Sequence, residues 1–219
     1  SLNSLDLSNF DTSKVTYMGC MFYGCSSLSL LYISNFDTSK VINMDCMFYD
    51  CSSLSSLNIS KFDTSQVTYM YCMFCGCSSL ISLNLSNFDT SLVSWVIMGN
   101  MAGMNHMFKN CYSLISLNLF KFNITKKTQI NDIFYQCKNL SYINFGSAII
   151  EKEAIISEFQ KASPNLYLLI NKEILTVLQT INTFFNFSYD LYIPKIEVVL
   201  NSTTLLKDYS TYNQTNFGI

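Results

Sequence analysis

The sequence predicts an α/β solenoid, a stack of short coils with a parallel β-sheet on one face and short helices on the other. Phe10, Phe36, Phe62 and Phe88 stand 26 residues apart and open nearly the same phrase, NFDTSK, NFDTSK, KFDTSQ and NFDTSL. Cys25, Cys51 and Cys77 keep the same step, and Cys111 and Cys137 resume it after an eight-residue slip. Self-similarity at a fixed step of this size is the signature of a repeat architecture. Within each unit, strand-like alternation gives way to helix-like spacing, so each unit contributes one element to each face.

The strand comes first. In 56–60, Leu57 and Ile59 alternate with polar residues, the pattern of a half-buried strand. Equivalent strands are expected near 4–8, 30–34, 82–86, 116–120 and 142–146, with a seventh at 166–170, where Leu168 follows Ile143 by 25 residues. The FDTS phrase comes next, with residue types suited to capping a helix N-terminus. Val15, Met18, Phe22 and Cys25 then step by three, four and three, which predicts one or two helical turns with an apolar stripe. One strand and one short helix per 26 residues falls in the leucine-rich-repeat range of about 20–29, so the expected fold is a right-handed leucine-rich-repeat stack. Residues 151–162 read as a longer helix stopped before Ser163-Pro164 and suit a terminal cap.

The expected organisation is a repeat array over 1–147, a capping repeat over 148–172 and a non-repeat segment over 173–219. In that last segment 174–185 has helical spacing and 196–200 reads as a strand. Leu2 and Leu5 align with Leu28 and Leu31, so the stack begins open and a further unit or cap is expected upstream. With Ser1 in place of an initiator Met, the chain is expected to be a fragment or a processed product.

Composition bounds the function. Hydrophobic residues make up 49% and charged residues 13%, enough apolar material for a large core. A formal charge of −2 and a pI of about 5.3 give no electrostatic reason to expect nucleic acid. No apolar run approaches the roughly 18 residues of a membrane span, and the first residues are unlike a signal peptide. No Ser-His-Asp, Cys-His or paired-carboxylate arrangement emerges around the single His106, so an enzyme is not expected. No cofactor is implied.

The nine cysteines read as a buried thiol ladder. Disulfides between coils are the alternative, since column neighbours about 5 Å apart fall within bridging range. Cys72-Met-Phe-Cys75 is the one C-x-x-C; with no second pair, zinc lacks its four ligands and no metal site is expected. Cys75 occupies the column of Tyr23 and Tyr49 and reads as a surface substitution. Asp11, Asp37, Asp63 and Asp89 form a carboxylate column that could attract calcium, but accepting backbone N–H groups at the turn is the plainer role.

The exposed sheet face is the natural binding surface. Its central column reads Asp6, Tyr32, Asn58, Asn84, Asn118 and Asn144, flanked mostly by serine. Tyr32 with Leu30 and Leu31, and Phe120 with Tyr142, are its apolar exceptions, either binding anchors or covered by a neighbouring segment. Of seven N-x-[ST] sequons, Asn186, Asn201 and Asn213 are the better glycosylation candidates, because Asn58 and Asn84 would sit only about 4.8 Å apart. The insertion 94–103 carries the single Trp; its methionines, with Met104 and Met107, step by three and suggest an added helical turn against the stack, a functional loop being the alternative.

The phrase LDLSNFDTSKVTYMGCMFYGCSSL at 5–28 resembles the repeat of BspA-like leucine-rich-repeat surface proteins, and the likeness extends over about 1–145. Repeats four and five depart from it, the first by its insertion and the second by FNITKKTQ. The resemblance implies a cell-surface or secreted protein that contacts a protein or glycan on another cell or matrix through the sheet face, with no catalytic residues. A structural coat or spacer with no specific ligand is the other reading.

Overall fold

The structure is a computed structural model; it describes residues 2–93, 103–125, 127–151, 155–163, 166–171, 195–200 and 203–204. The chain coils into a parallel-strand β-solenoid of about six turns. Strands β1 (Ser4–Asp6) and β2 (Leu30–Tyr32) pair in parallel. A six-stranded sheet holds β3 (Ser82–Asn84), β4 (Ser116–Asn118), β6 (Tyr142–Asn144), β8 (Tyr167–Asn171), β9 (Lys195–Leu200) and β10 (Thr203–Thr204). Only the β9–β10 pair in that sheet is antiparallel. A short parallel pair joins β5 (Asn123–Ile124) to β7 (Ile149–Ile150). In β2, β3, β4 and β6 the middle residue turns inward, so Leu31, Leu83, Leu117 and Ile143 form one core column.

One strand expectation needs adjustment. Residues 56–60 keep Ile59 buried at its station but form no ladder. There Ser60 instead donates its N–H and its hydroxyl to Asn58 Oδ1. The strand expected over 196–200 is present as β9, in register with β8. The helix expected over 174–185 lies outside the described residues.

The larger correction concerns the face opposite the sheet. Residues 18–24, 44–50 and 70–76 are successive turns, not short helices. Among the described residues, α1 (Ile155–Gln160) is the α-helix, shorter than the 151–162 reading. The reason lies in where the backbone hydrogen bonds go. Met18, Cys20, Phe22 and Gly24 donate to Asn43, Asp45, Met47 and Tyr49 of the next coil, at 2.7–2.9 Å. The residues between them bond locally, Met21 to Met18 and Tyr23 to Cys20. The next coil repeats this, with Phe48 donating to Met73 at 2.9 Å and Asp50 to Cys75 at 2.8 Å. Left-handed residues break any helix: Cys20, Cys46, Cys72, His106 and Asp132 have φ between 52° and 60°, and Gly24 and Gly76 have 70° and 77°. Inward residues of such turns recur every three or four positions, as helical ones do.

Candidate binding face and the stitches behind it

Four columns of side chains hold the coils in register. The first is a threonine stitch. Thr64 Oγ1 donates to Asp89 O at 2.9 Å and accepts the Asp89 N–H at 2.8 Å. Thr12 clasps Asp37, Thr38 clasps Asp63 and Thr90 clasps Asn123 in the same way. All four threonines are buried. This role was missed in the sequence, where Thr read as part of a helix cap. The available signal was the unvarying Thr beside a position that changes among Lys, Gln and Leu two residues on.

Phenylalanines form the second column. Phe22, Phe48, Phe74, Phe108, Phe134 and Phe159 stack face to face, with centroids 5.5–6.1 Å apart. The stack passes directly from Phe74 to Phe108 across repeat four and reaches α1 at Phe159. Beside it lies the third column, a thiol ladder. Cys51, Cys77, Cys111 and Cys137 donate S–H to the carbonyls of Phe22, Phe48, Phe74 and Phe108, at 2.9–3.1 Å. All nine cysteines are free. The expectation of a surface position for Cys75 was wrong: it is buried, a small side chain in a column whose adjacent members are the longer Tyr49 and Lys109. Met104 and Met107 occupy ordinary buried stations, while Met98 and Met101 lie outside the described residues.

The aspartates make the fourth column. Asp11, Asp37, Asp63 and Asp89 each accept the N–H of the serine two residues on, at 2.8–3.0 Å. These are Asx turns that bend the chain toward the threonine clasp. Hydrogen bonds from the serine hydroxyl and N–H hold Asp11 and Asp37 below the ordinary carboxylate range. Among the described residues, no three His, Cys, Asp or Glu side chains are placed to hold a metal ion.

On the sheet face, the expected site residues divide. Asp6, Asn58, Asn84 and Asn144 each commit Oδ1 to the N–H two residues on, closing the turn after the strand. Their outward function is therefore limited; the amides of Asn58 and Asn84 remain exposed. Asn118 is half-buried, with Oδ1 buried and unpartnered. Tyr32 is 52% exposed and Leu30 48%, whereas Leu31 belongs to the core. Phe120 is partly covered, its ring lying against Gly146, where a Cβ would collide with it. Tyr142 stacks on Tyr167 at 5.7 Å. Two residues were missed: Ile81 and Ile115, 50% and 48% exposed, stand where other coils carry Ser29, Ser55 and Ser141. An isoleucine replacing serine in two adjacent repeats was the signal. Asn186, Asn201 and Asn213 lie outside the described residues.

At the C-terminal end, His106, Lys109, Asp132, Glu158 and Lys161 gather. Lys161 Nζ bridges Asp132 Oδ1 at 3.0 Å and Glu158 Oε1 at 2.9 Å. His106 Nδ1 lies 3.7 Å from Asp132 Oδ2, and burial lowers the His106 pKa. The lysine ties α1 to the preceding coil and holds Asp132 below its usual range. This cluster anchors α1 to the stack.

The fold and this face define a repeat protein: a sheet lined mostly by serine and asparagine, with a few apolar side chains in register. The chain belongs to the family described as "Mycoplasma protein of unknown function, DUF285", whose pattern matches residues 1–102 and 33–147. Neither the curated proteins nor the solved structures gave a match.

Proposed function

We propose that the chain is a recognition module of the BspA-like leucine-rich-repeat kind, displayed at the cell surface or secreted, that binds a protein or glycan through its sheet face. The observation that carries this reading is the placement of Leu30, Tyr32, Ile81 and Ile115. They stand exposed in two islands on a face lined mostly by Ser and Asn. Solvated aromatic and aliphatic groups on a rigid scaffold are the usual anchors of an interface, and the polar surround suits its rim. The low charge favours a ligand read by shape and hydrogen bonding over an electrostatically steered one.

Two measurements test the reading. Protease treatment of intact source cells should remove the protein; full protection would overturn the surface assignment. An array of glycans and extended peptides should retain the wild-type chain and release Tyr32→Ser/Ile81→Ser, with affinity falling about tenfold or more. Equal retention of both proteins would remove the face as the site. A chain that sits at the surface yet binds nothing on any array would favour the coat or spacer reading.

A further inference from the structure

Asparagine holds one station of the sheet face in successive coils, as Asn58, Asn84, Asn118 and Asn144. Asn84, Asn118 and Asn144 are direct partners in the parallel ladder of β3, β4 and β6. Parallel neighbours in register stand about 4.8 Å apart, so the carboxamides form a row that advances by that step and spans about 14 Å. Their orientation is set from behind. Oδ1 of Asn58, Asn84 and Asn144 accepts the N–H two residues on, at 2.9–3.3 Å, and Oδ1 of Asn118 is buried. The Nδ2 donors are left to face outward, and among the described residues no hydrogen bond engages them.

The flanks of the row are uncharged. Ser56, Ser82 and Ser116 run along one side, with Ile81 and Ile115 beyond them, and Ser60, Ser86 and Phe120 run along the other. Tyr32 takes the same station in the coil before Asn58 and stands exposed there. Elongated ligands differ in how they meet such a row. An extended peptide repeats its side-chain direction every second residue, about 6.6 Å, and falls out of step after one or two coils. An α-helix offers same-face steps of about 4.5 and 6 Å that swing off a straight line. A β-1,4-linked glycan advances by one sugar over about the distance between adjacent coils, so each sugar meets one carboxamide along the whole row. Its pyranose rings present hydroxyl and ring oxygens that accept from Nδ2, and an apolar C–H face suited to the exposed tyrosine and isoleucines.

We propose that, on the reading of the sheet face as the binding surface, this row takes a neutral, unbranched β-1,4-linked glycan laid along the stack. One sugar lies against each coil, and Tyr32 stacks on the ring at the end of the row. Ile81 and Ile115 cover the C–H edge of the sugars between Asn84 and Asn118. With no charge in the row, the attraction is carried by hydrogen bonds and apolar contact, and salt screens neither strongly.

The test titrates the full chain calorimetrically with β-1,4-linked oligomers of glucose and of N-acetylglucosamine, from the dimer to the hexamer. At least one series should gain affinity with each added sugar until the oligomer spans Tyr32 to Asn144. Raised salt should leave that affinity nearly unchanged. Asn84→Asp keeps the Oδ1 acceptor that closes the turn, as Asp6 does in the first coil, but removes the outward donors, so affinity should fall about tenfold. Equal affinity for dimer and hexamer, or for Asn84→Asp and wild type, would overturn the proposal. So would an array peptide or protein released by Tyr32→Ser/Ile81→Ser while neither oligomer series binds; that result keeps the sheet face and removes the glycan. Failure of both oligomer series and of every array ligand removes the glycan and the face together. The length series needs no variant, so a misfolded mutant cannot decide the result.

Discussion

Thr64 places one hydroxyl against both polar groups of Asp89, and a single methyl swap isolates that contact. In Thr64→Val the shape is kept, but the Asp89 N–H and carbonyl lose their partner. Leaving buried backbone groups unpaired costs about 1–3 kcal/mol. Denaturant unfolding should show that loss, with Thr64→Ser much closer to wild type; a fully stable valine variant would refute the stitch. The aspartates give a pH signature. Asp6, Asp11, Asp37 and Asp132 all titrate below their ordinary value, the first three through serine hydroxyls and N–H groups and Asp132 through Lys161. A folded-state pKa below the unfolded one confers stability above about pH 4 that drains as pH falls through the lowered values. His106, lowered by burial, adds a contribution present above about pH 6.5 and lost below it. Asp45, raised by burial, opposes this, because its contribution is present below the unfolded pKa and lost as pH rises. The thermal midpoint should therefore fall on acidification in two stages, and Asp37→Asn should shrink the lower one. A midpoint that rises between pH 6.5 and pH 3 would contradict these signs.

At the scale of the element, Gly76 separates a helix from a turn. Replacing a mid-helix glycine with alanine gains about 0.5–1 kcal/mol. Here φ is 77° and a Cβ would run into Asp50, so Gly76→Ala should destabilise, by about 1–2 kcal/mol for the left-handed backbone alone. The phenylalanine stack predicts that Phe74→Ala, in mid-stack and fully buried, costs about 3–5 kcal/mol. These elements show what was legible. Strand stations, the repeat step and the core columns followed from spacing, because inward residues of any coil must recur with the coil. The turn face was misread for the same reason: Val41, Met44, Phe48 and Cys51 point inward at helical intervals, while the Met44 and Phe48 N–H groups bond to another coil and those of Val41 and Cys51 close local three-residue turns. Periodicity reports which side chains are buried and is silent on where the N–H groups go. Ile81 and Ile115 were passed over because they precede the alternating stretch used to find each strand.

Across the whole molecule, each coil meets only its neighbours, so stability is close to a sum of coil and interface terms. The sheet face displays the side chains proposed as anchors, and the turn face carries the stitches. The proposed binding face stands on a backbone bonded from coil to coil. Trans-hydrogen-bond scalar couplings in isotopically labelled protein measure that directly. A coupling between the Phe48 amide nitrogen and the Met73 carbonyl carbon, repeated for Phe22 with Met47 and Phe74 with Met107, is the predicted result. Couplings from Phe48 to the Met44 carbonyl, four residues back along a helix, would contradict it.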